Sequence, residues 1–248
     1  MVCAASPPLP WITSRPIAHR GLHRGMAVPE NSRLAFEAAI AANHPIELDI
    51  QLLADGQLAV FHDKTLGRLT GQPGRIADQT LCTLKQLHLF GTRQTIPSLV
   101  EVLELIQGQV PVLIEIKNEG IVGPMETALL KTLAGYGGEF AVQSFNPLSV
   151  AWFKRHAPSI QRGQLAGKGR AKPWLWPQHF VLSNLLLTWA SSPDFIAYDL
   201  RALPNLPTTL ARQSFNKPLL AWTVRNPADQ AKAKAYADNY IFDAFLTP

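Results

Sequence analysis

The chain has 248 residues, of which 47% are hydrophobic and 17% charged. That is enough apolar material for a large core and excludes an intrinsically disordered chain. The net charge of +5 comes from scattered basic residues, with no run suited to track a nucleic-acid backbone, so no nucleic-acid partner is expected. The longest apolar window, residues 174–190, is broken by Gln178, His179, Ser183 and Asn184. No stable membrane insertion is expected of it. Nothing before Arg15 is basic and no apolar segment precedes Cys3, so neither a secretory leader nor a lipoprotein anchor is expected. Cys3 falls in a proline-rich tail and Cys82 in a helical stretch, a pair that fits a reducing cytoplasm better than a disulfide.

Residues 1–14, with Pro7, Pro8 and Pro10, read as a loose N-terminal tail. The first strand is 15–18, and Pro29-Glu30-Asn31-Ser32 opens a helix with Asn31 or Ser32 as its cap. The second strand is 45–51. Asp55-Gly56 is a tight-turn pair that returns the chain to His62. Residues 64–95 are polar and broken by Gly67, Gly71, Pro73, Gly74 and Gly91, which marks a small insertion after the second strand. Ile96-Pro97-Ser98 opens an amphipathic helix, and 110–116 is the third strand. Strands over 139–143, 159–165, 194–198, 218–223 and 240–242 then alternate with helices, two of them opened by Asn146-Pro147 and Asn226-Pro227. Eight strands separated by helices imply a (β/α)8 TIM barrel over 15–248. An open doubly wound sheet would bring a glycine-rich phosphate loop, which His19-Arg20-Gly21 and the residues after it do not supply.

In such a barrel the chemistry lies at the C-terminal ends of the strands. Charged residues crowd there on the first three: His19 and Arg20, then Glu47 and Asp49 with His62 and Asp63 on the return, then Glu115 and Lys117. Side chains two apart on a strand share a face, so Glu47 and Asp49 point together, as do Glu115 and Lys117. Three buried carboxylates need a cation, and an all-oxygen set suits a hard divalent ion, Mg²⁺ or Ca²⁺. For any one carboxylate, ion pairing with Arg20 or Lys117 serves equally well. His19 and His62 beside that cluster suit an acid–base pair across a phosphoester bond. Arg20 and Lys117 are donors for a phosphate oxygen. Trp222 ends the strand 218–223 and either walls a substrate pocket or fills the barrel top. Phe61 has the same two readings. The basic loop 167–172, followed by Trp174 and Trp176, reads as a solvated loop leading into a helix rather than a membrane patch.

These residues resemble the glycerophosphodiester phosphodiesterase family. The resemblance rests on His19-Arg20-Gly21 with Pro29-Glu30-Asn31, Glu47-Leu48-Asp49, Asp55-Gly56, His62-Asp63, Ile96-Pro97-Ser98-Leu99, Glu115-Ile116-Lys117, Ser144-Phe145-Asn146-Pro147 and Trp222-Thr223-Val224. It covers residues 15–245. It implies a TIM barrel with an insertion after the second strand and a divalent cation on Glu47, Asp49 and Glu115. His19 and His62 would be the acid–base pair, with Arg20 and Lys117 on the phosphate. The implied reaction is hydrolysis of a small anionic glycerophosphodiester to glycerol 3-phosphate and an alcohol. Cleavage of lysophospholipids and a phospho-ligand-binding barrel without turnover are the alternatives. One departure stands at the eighth strand, where Ala237-Asp238-Asn239-Tyr240-Ile241-Phe242-Asp243 lacks the closing glycines and threonine frequent in the family.

Overall fold

The structure, a computed structural model, describes residues 10–167, 185 and 188–243. The expectations for Cys3, for residues 168–172 of the basic loop, for Trp174 and Trp176, and for most of the 174–190 window fall outside them. The chain forms two compact units, one from Ile17 to Phe140 and the other from Ala141 onward together with the segment before Ile17. The structure differs from a loose tail at its end. Pro10–Ser14 form a helical turn, α1, with Trp11 and Ile12 buried. The Asn239 side chain donates to Ile12 O (2.8 Å) and Arg15 O (2.6 Å), which fixes this turn within its unit.

In the unit from Ile17, β1 (Ile17–His19) leads through a turn to α2 (Arg33–Ala41). Ser32, not Asn31, is the cap of α2, its hydroxyl accepting from Ala35 N at 3.2 Å. The long strand β2 (Ile46–Leu52) folds back antiparallel as β3 (Leu58–Val60) through Asp55-Gly56, where Gly56 takes φ +79°. After β3 the chain makes an excursion that includes the one-turn helices α3 (Gly67–Thr70) and α4 (Leu81–Leu84). This excursion has an apolar core of its own, with Phe61, Leu66, Leu69, Ile76, Leu84 and Leu89 all buried. Phe61 is therefore a packing residue. The chain then enters α5 (Leu99–Ile106), β4 (Val112–Ile116) and α6 (Pro124–Leu133). Ser98 and Glu101 form a reciprocal capping box at the start of α5. Strands β1, β2 and β4 run parallel, with His19 level with Glu47 and Asp49 level with Glu115.

In the other unit, β5 (Phe140–Ser144), β6 (Arg162–Ala166), β7 (Phe195–Asp199), β8 (Leu219–Val224) and β9 (Asn239–Phe242) pair in sequence, all parallel. The helices between them include α7 (Pro147–His156), α8 (Thr188–Ser191), α9 (Leu206–Gln213) and α10 (Pro227–Tyr236). One device starts α7, α9 and α10: an asparagine cap (Asn146, Asn205, Asn226) with proline in the first turn. Gly163 is required on β6, since a Cβ there would stand 2.1 Å from the Phe195 ring. Eight parallel strands alternating with helices make this a (β/α)8 TIM barrel.

Candidate active site

The candidate site is built from the unit from Ile17 to Phe140. The first piece is the sharp exit from β1. Arg20 takes φ +56° and Gly21 φ +77°, both in the left-handed region. Gly21 has no substitute here, because a Cβ would lie 2.8 Å from the backbone of Ala35 on α2. The turn is fastened by Leu22 N donating to Ala35 O (2.9 Å) and Asn31 N donating to Arg20 O (3.0 Å). A left-handed arginine is strained, and such strain is concentrated at functional sites. It brings Arg20 N to Glu47 Oε2 at 3.1 Å and Arg20 Nε to Asp49 Oδ2 at 3.2 Å.

The second piece is the acidic floor. Glu47, Asp49 and Glu115 are all buried, and each offers an oxygen within 4.8 Å of the others. Lys117 Nζ pairs with Glu115 Oε1 (3.0 Å) and stands 3.5 Å from Asp49 Oδ1. So the alternation expected along β2 and past β4 is met, and both ion pairs foreseen as the alternative to a metal are present. Asp49 Oδ1 is buried and accepts no hydrogen bond. An acceptor in that position, between two more carboxylate oxygens, fits a hard divalent cation.

The electrostatics divide the three acids. Burial would raise Asp49, but the charges of Lys117, then Arg20, then His62 and His19 outweigh it and hold this carboxyl well below the usual range. Glu47 is pushed well above it, by burial first and then by the negative charges of Asp49 and Glu115. Glu115 is raised to about 7, chiefly by burial, with Lys117 opposing. Burial would lower Arg20 and Lys117, yet the carboxylates around them raise both, so they stay charged.

The third piece is the strand exit at His62. Gln51 donates from Nε2 to Phe61 O (3.1 Å) and Asp63 O (2.6 Å), which fixes the backbone on both sides of His62. His62 Nδ1 lies 2.7 Å from Asp63 Oδ1. Burial, with Arg20 and Lys117, depresses the His62 pKa below 6.5, against the raising effects of Asp49 and Asp63. A cleft of about 360 Å³ opens beside it, lined by Gln51, His62, Asp63, Lys117 and Glu119 among others.

His19, Arg20, Glu47, Asp49, His62, Glu115 and Lys117 thus belong to one unit. Trp222 belongs to the other. It is half-buried within β8, edge-on to Phe145 with ring centroids 5.5 Å apart, and Gly167 leaves room for its indole. Asp199, also at a strand end, is held by Arg201 through Nε (3.0 Å) and Nη2 (2.6 Å). Sequence reasoning passed over three residues. Asn31 is buried, takes φ +55° and donates to Asp49 Oδ2 at 2.9 Å. Glu30 binds Arg20 Nη1 at 2.6 Å. Arg68 reaches in from α3 to both Glu30 and Asp63. Glu30 and Asn31 stood inside the Pro-Glu-Asn motif; Arg68 carried no signal, because it lies in the polar excursion and its pairing with Glu30 spans 38 residues of sequence.

Residues 19–246 match the profile of the glycerophosphoryl diester phosphodiesterase family. A glycerophosphodiester phosphodiesterase of Caldanaerobacter subterraneus subsp. tengcongensis is 39% identical over 239 residues, covering 92% of this chain and 93% of its own length. Glycerophosphodiester phosphodiesterase 1 of Bos taurus is 26% identical over 266 residues, covering 93% of this chain and 76% of its own. Among solved structures, a phosphodiesterase of Oleispira antarctica, in complex with the product sn-glycerol-3-phosphate, superposes with a TM-score of 0.78. It is 24% identical and covers 95% of both chains. A glycerophosphodiester phosphodiesterase of Thermotoga maritima gives 0.71 at 23% identity, covering 92% of this chain and 93% of that one. At these identities the structures share the barrel fold.

Proposed function

This chain belongs to the glycerophosphoryl diester phosphodiesterase family and is a glycerophosphodiester phosphodiesterase; from that premise we propose that it hydrolyses glycerophosphodiesters to glycerol 3-phosphate and an alcohol, by proton transfer through His19 and His62 at a divalent cation site. The observation that carries the reading is the meeting of three buried carboxylates with two cationic donors, with His62 and His19 both near enough for their charges to act on Asp49. Glu47, Asp49 and Glu115 would hold Mg²⁺ or Ca²⁺, which supplies Lewis-acid stabilisation of the phosphodiester's charge. Arg20 and Lys117 bind the phosphate oxygens, Arg20 through a planar fork. Their pairing with Asp49 holds them pointed at the site. Asp63 accepts from His62 Nδ1, so the proton of the neutral ring sits on Nδ1 and Nε2 carries the lone pair. The depressed pKa keeps that ring neutral near pH 7, the form able to take a proton from the attacking group. His19, level with Glu47 at the end of β1, then gives a proton to the departing alcohol. Trp222, expected from the sequence to wall a substrate pocket, is proposed to contact the substrate.

The test is release of glycerol 3-phosphate from glycerophosphocholine, with and without EDTA. The expected outcome is turnover that EDTA abolishes and Mg²⁺ or Ca²⁺ restores. Absence of turnover with either ion refutes the substrate class. Full turnover by protein shown to be metal-free by elemental analysis refutes the cation.

A further inference from the structure

A single guanidinium joins the two ends of the site. Arg68 lies on the one-turn helix α3, outside the barrel strands, and all three of its nitrogens are engaged. Nε and Nη2 donate to Asp63 Oδ2 (2.6 Å) and Oδ1 (2.9 Å), while Nη1 and Nη2 donate to Glu30 Oε2 (2.8 Å) and Oε1 (2.8 Å). Both acids have a second duty. Asp63 Oδ1 is the atom that faces His62 Nδ1 at 2.7 Å. Glu30 Oε1 is the atom that receives Arg20 Nη1 at 2.6 Å. The five side chains form one unbroken series: Arg20, Glu30, Arg68, Asp63, His62.

The backbone beneath Arg68 is anchored. Leu69, the next residue, is buried in the same apolar core as Phe61, the residue before His62. The guanidinium and the imidazole are therefore carried by one packed body, which is how a supporting group fixes a functional one. Arg68 is itself 44% exposed at its side chain, whereas Glu30 and Asp63 are 12% and 21% exposed. An ion pair that open to solvent adds little to stability. Its geometry is another matter, since a planar fork gripping both oxygens of a carboxylate fixes the carboxylate's rotation.

We propose that Arg68 is a positioning residue that holds Asp63 against His62 Nδ1 and Glu30 against Arg20 at once, so that the proton-transfer group and the phosphate-binding group are set by one side chain. The proposal rests on the reaction given above. Without Arg68, Asp63 has only His62 to orient it, and the imidazole is free to take its other tautomer. Lysine cannot replace it, because one ammonium cannot grip two carboxylates through two-point contacts.

The test combines turnover of glycerophosphocholine with ¹⁵N NMR of histidine-labelled protein at pH 8, for wild type, Arg68→Ala and Arg68→Lys. Wild-type His62 is expected as the Nδ1–H tautomer. Arg68→Ala is expected to lose that signature and to lower kcat about tenfold or more. Millimolar guanidinium restores part of both, and Arg68→Lys restores neither fully. Unchanged tautomer with kcat within twofold of wild type overturns the proposal. So does a fall in kcat with the tautomer unchanged, since that marks a general loosening of the excursion. Should Arg68→Ala fail to fold, Arg68→Lys, which keeps the charge and the length, is read by the same two signals. The tautomer is read without substrate, so the two readings fail differently. An inactive wild type removes the reaction and this role in it, whereas an unmoved tautomer removes the role and leaves the reaction standing.

Discussion

Glu115 makes the stability of the cation-free protein fall as pH rises. Its carboxyl is raised from an ordinary 4.5 to about 7 in the folded protein, chiefly by burial. Between those values the folded state keeps a proton that the unfolded chain has released, so each pH step upward favours unfolding. At about 1.4 kcal/mol per unit, the window is worth about 3 kcal/mol. Glu47 shifts the same way and adds to the loss. His62 has the opposite sign, since its depressed pKa makes stability rise with pH up to 6.5. Comparison with Glu115→Gln removes that offset. In EDTA, the wild type should lose roughly 5–10 °C more in Tm between pH 5 and pH 8 than Glu115→Gln does, since about 2.5 kcal/mol of that window lies above pH 5 and a chain this size shifts 2–4 °C per kcal/mol. A bound divalent cation favours the ionised carboxylates, so Mg²⁺ or Ca²⁺ should raise the wild-type Tm more at pH 8 than at pH 5. Thermal unfolding followed by circular dichroism measures both. Equal Tm losses for wild type and Glu115→Gln would refute the argument, as would a cation effect that does not depend on pH.

Three further outcomes follow from named contacts. His19→Ala and His62→Ala should each lower kcat on glycerophosphocholine about a hundredfold or more, with an unchanged circular dichroism spectrum; near-wild-type turnover removes that histidine from the mechanism. Asn31→Ala leaves buried Asp49 without its 2.9 Å donor and should cost about 2–3 kcal/mol by urea unfolding. Gly21→Ala drives a methyl group to 2.8 Å from the Ala35 backbone at φ +77° and should cost about 2–4 kcal/mol; a Tm equal to wild type would mean the turn can open freely.

Local signals carried much of the fold because they act over a few residues. Asn146, Asn205 and Asn226 cap helices through their own side chains, each bonding a backbone N–H two or three residues on. Asn205 lacks the Asn-Pro pair that marks the other two, because its proline stands one residue further along, at Pro207. The end of the expected tail shows the converse. Pro10 reads as a breaker, yet it opens α1, and the partner that fixes that turn is Asn239. Nothing within reach of Pro10 in the sequence announces a donor so far along the chain.

The site divides along the same line. The period-two spacing of Glu47 with Asp49 and of Glu115 with Lys117 is a property of any extended strand. The sequence alone therefore determined that these side chains face one way, and that carboxylates so placed need cations. The eight alternating strands and helices likewise determined the barrel, since parallel strands require crossovers. Only the tertiary structure decided which cation serves which acid. Burial and the charges nearest each oxygen are sums over residues brought together by folding, and they push Asp49 down while they push Glu47 and Glu115 up. Arg68 is the clearest case. In the sequence it is one arginine among many; the fold buries Leu69 and Phe61 in one core and lays the Arg68 fork across Glu30 and Asp63.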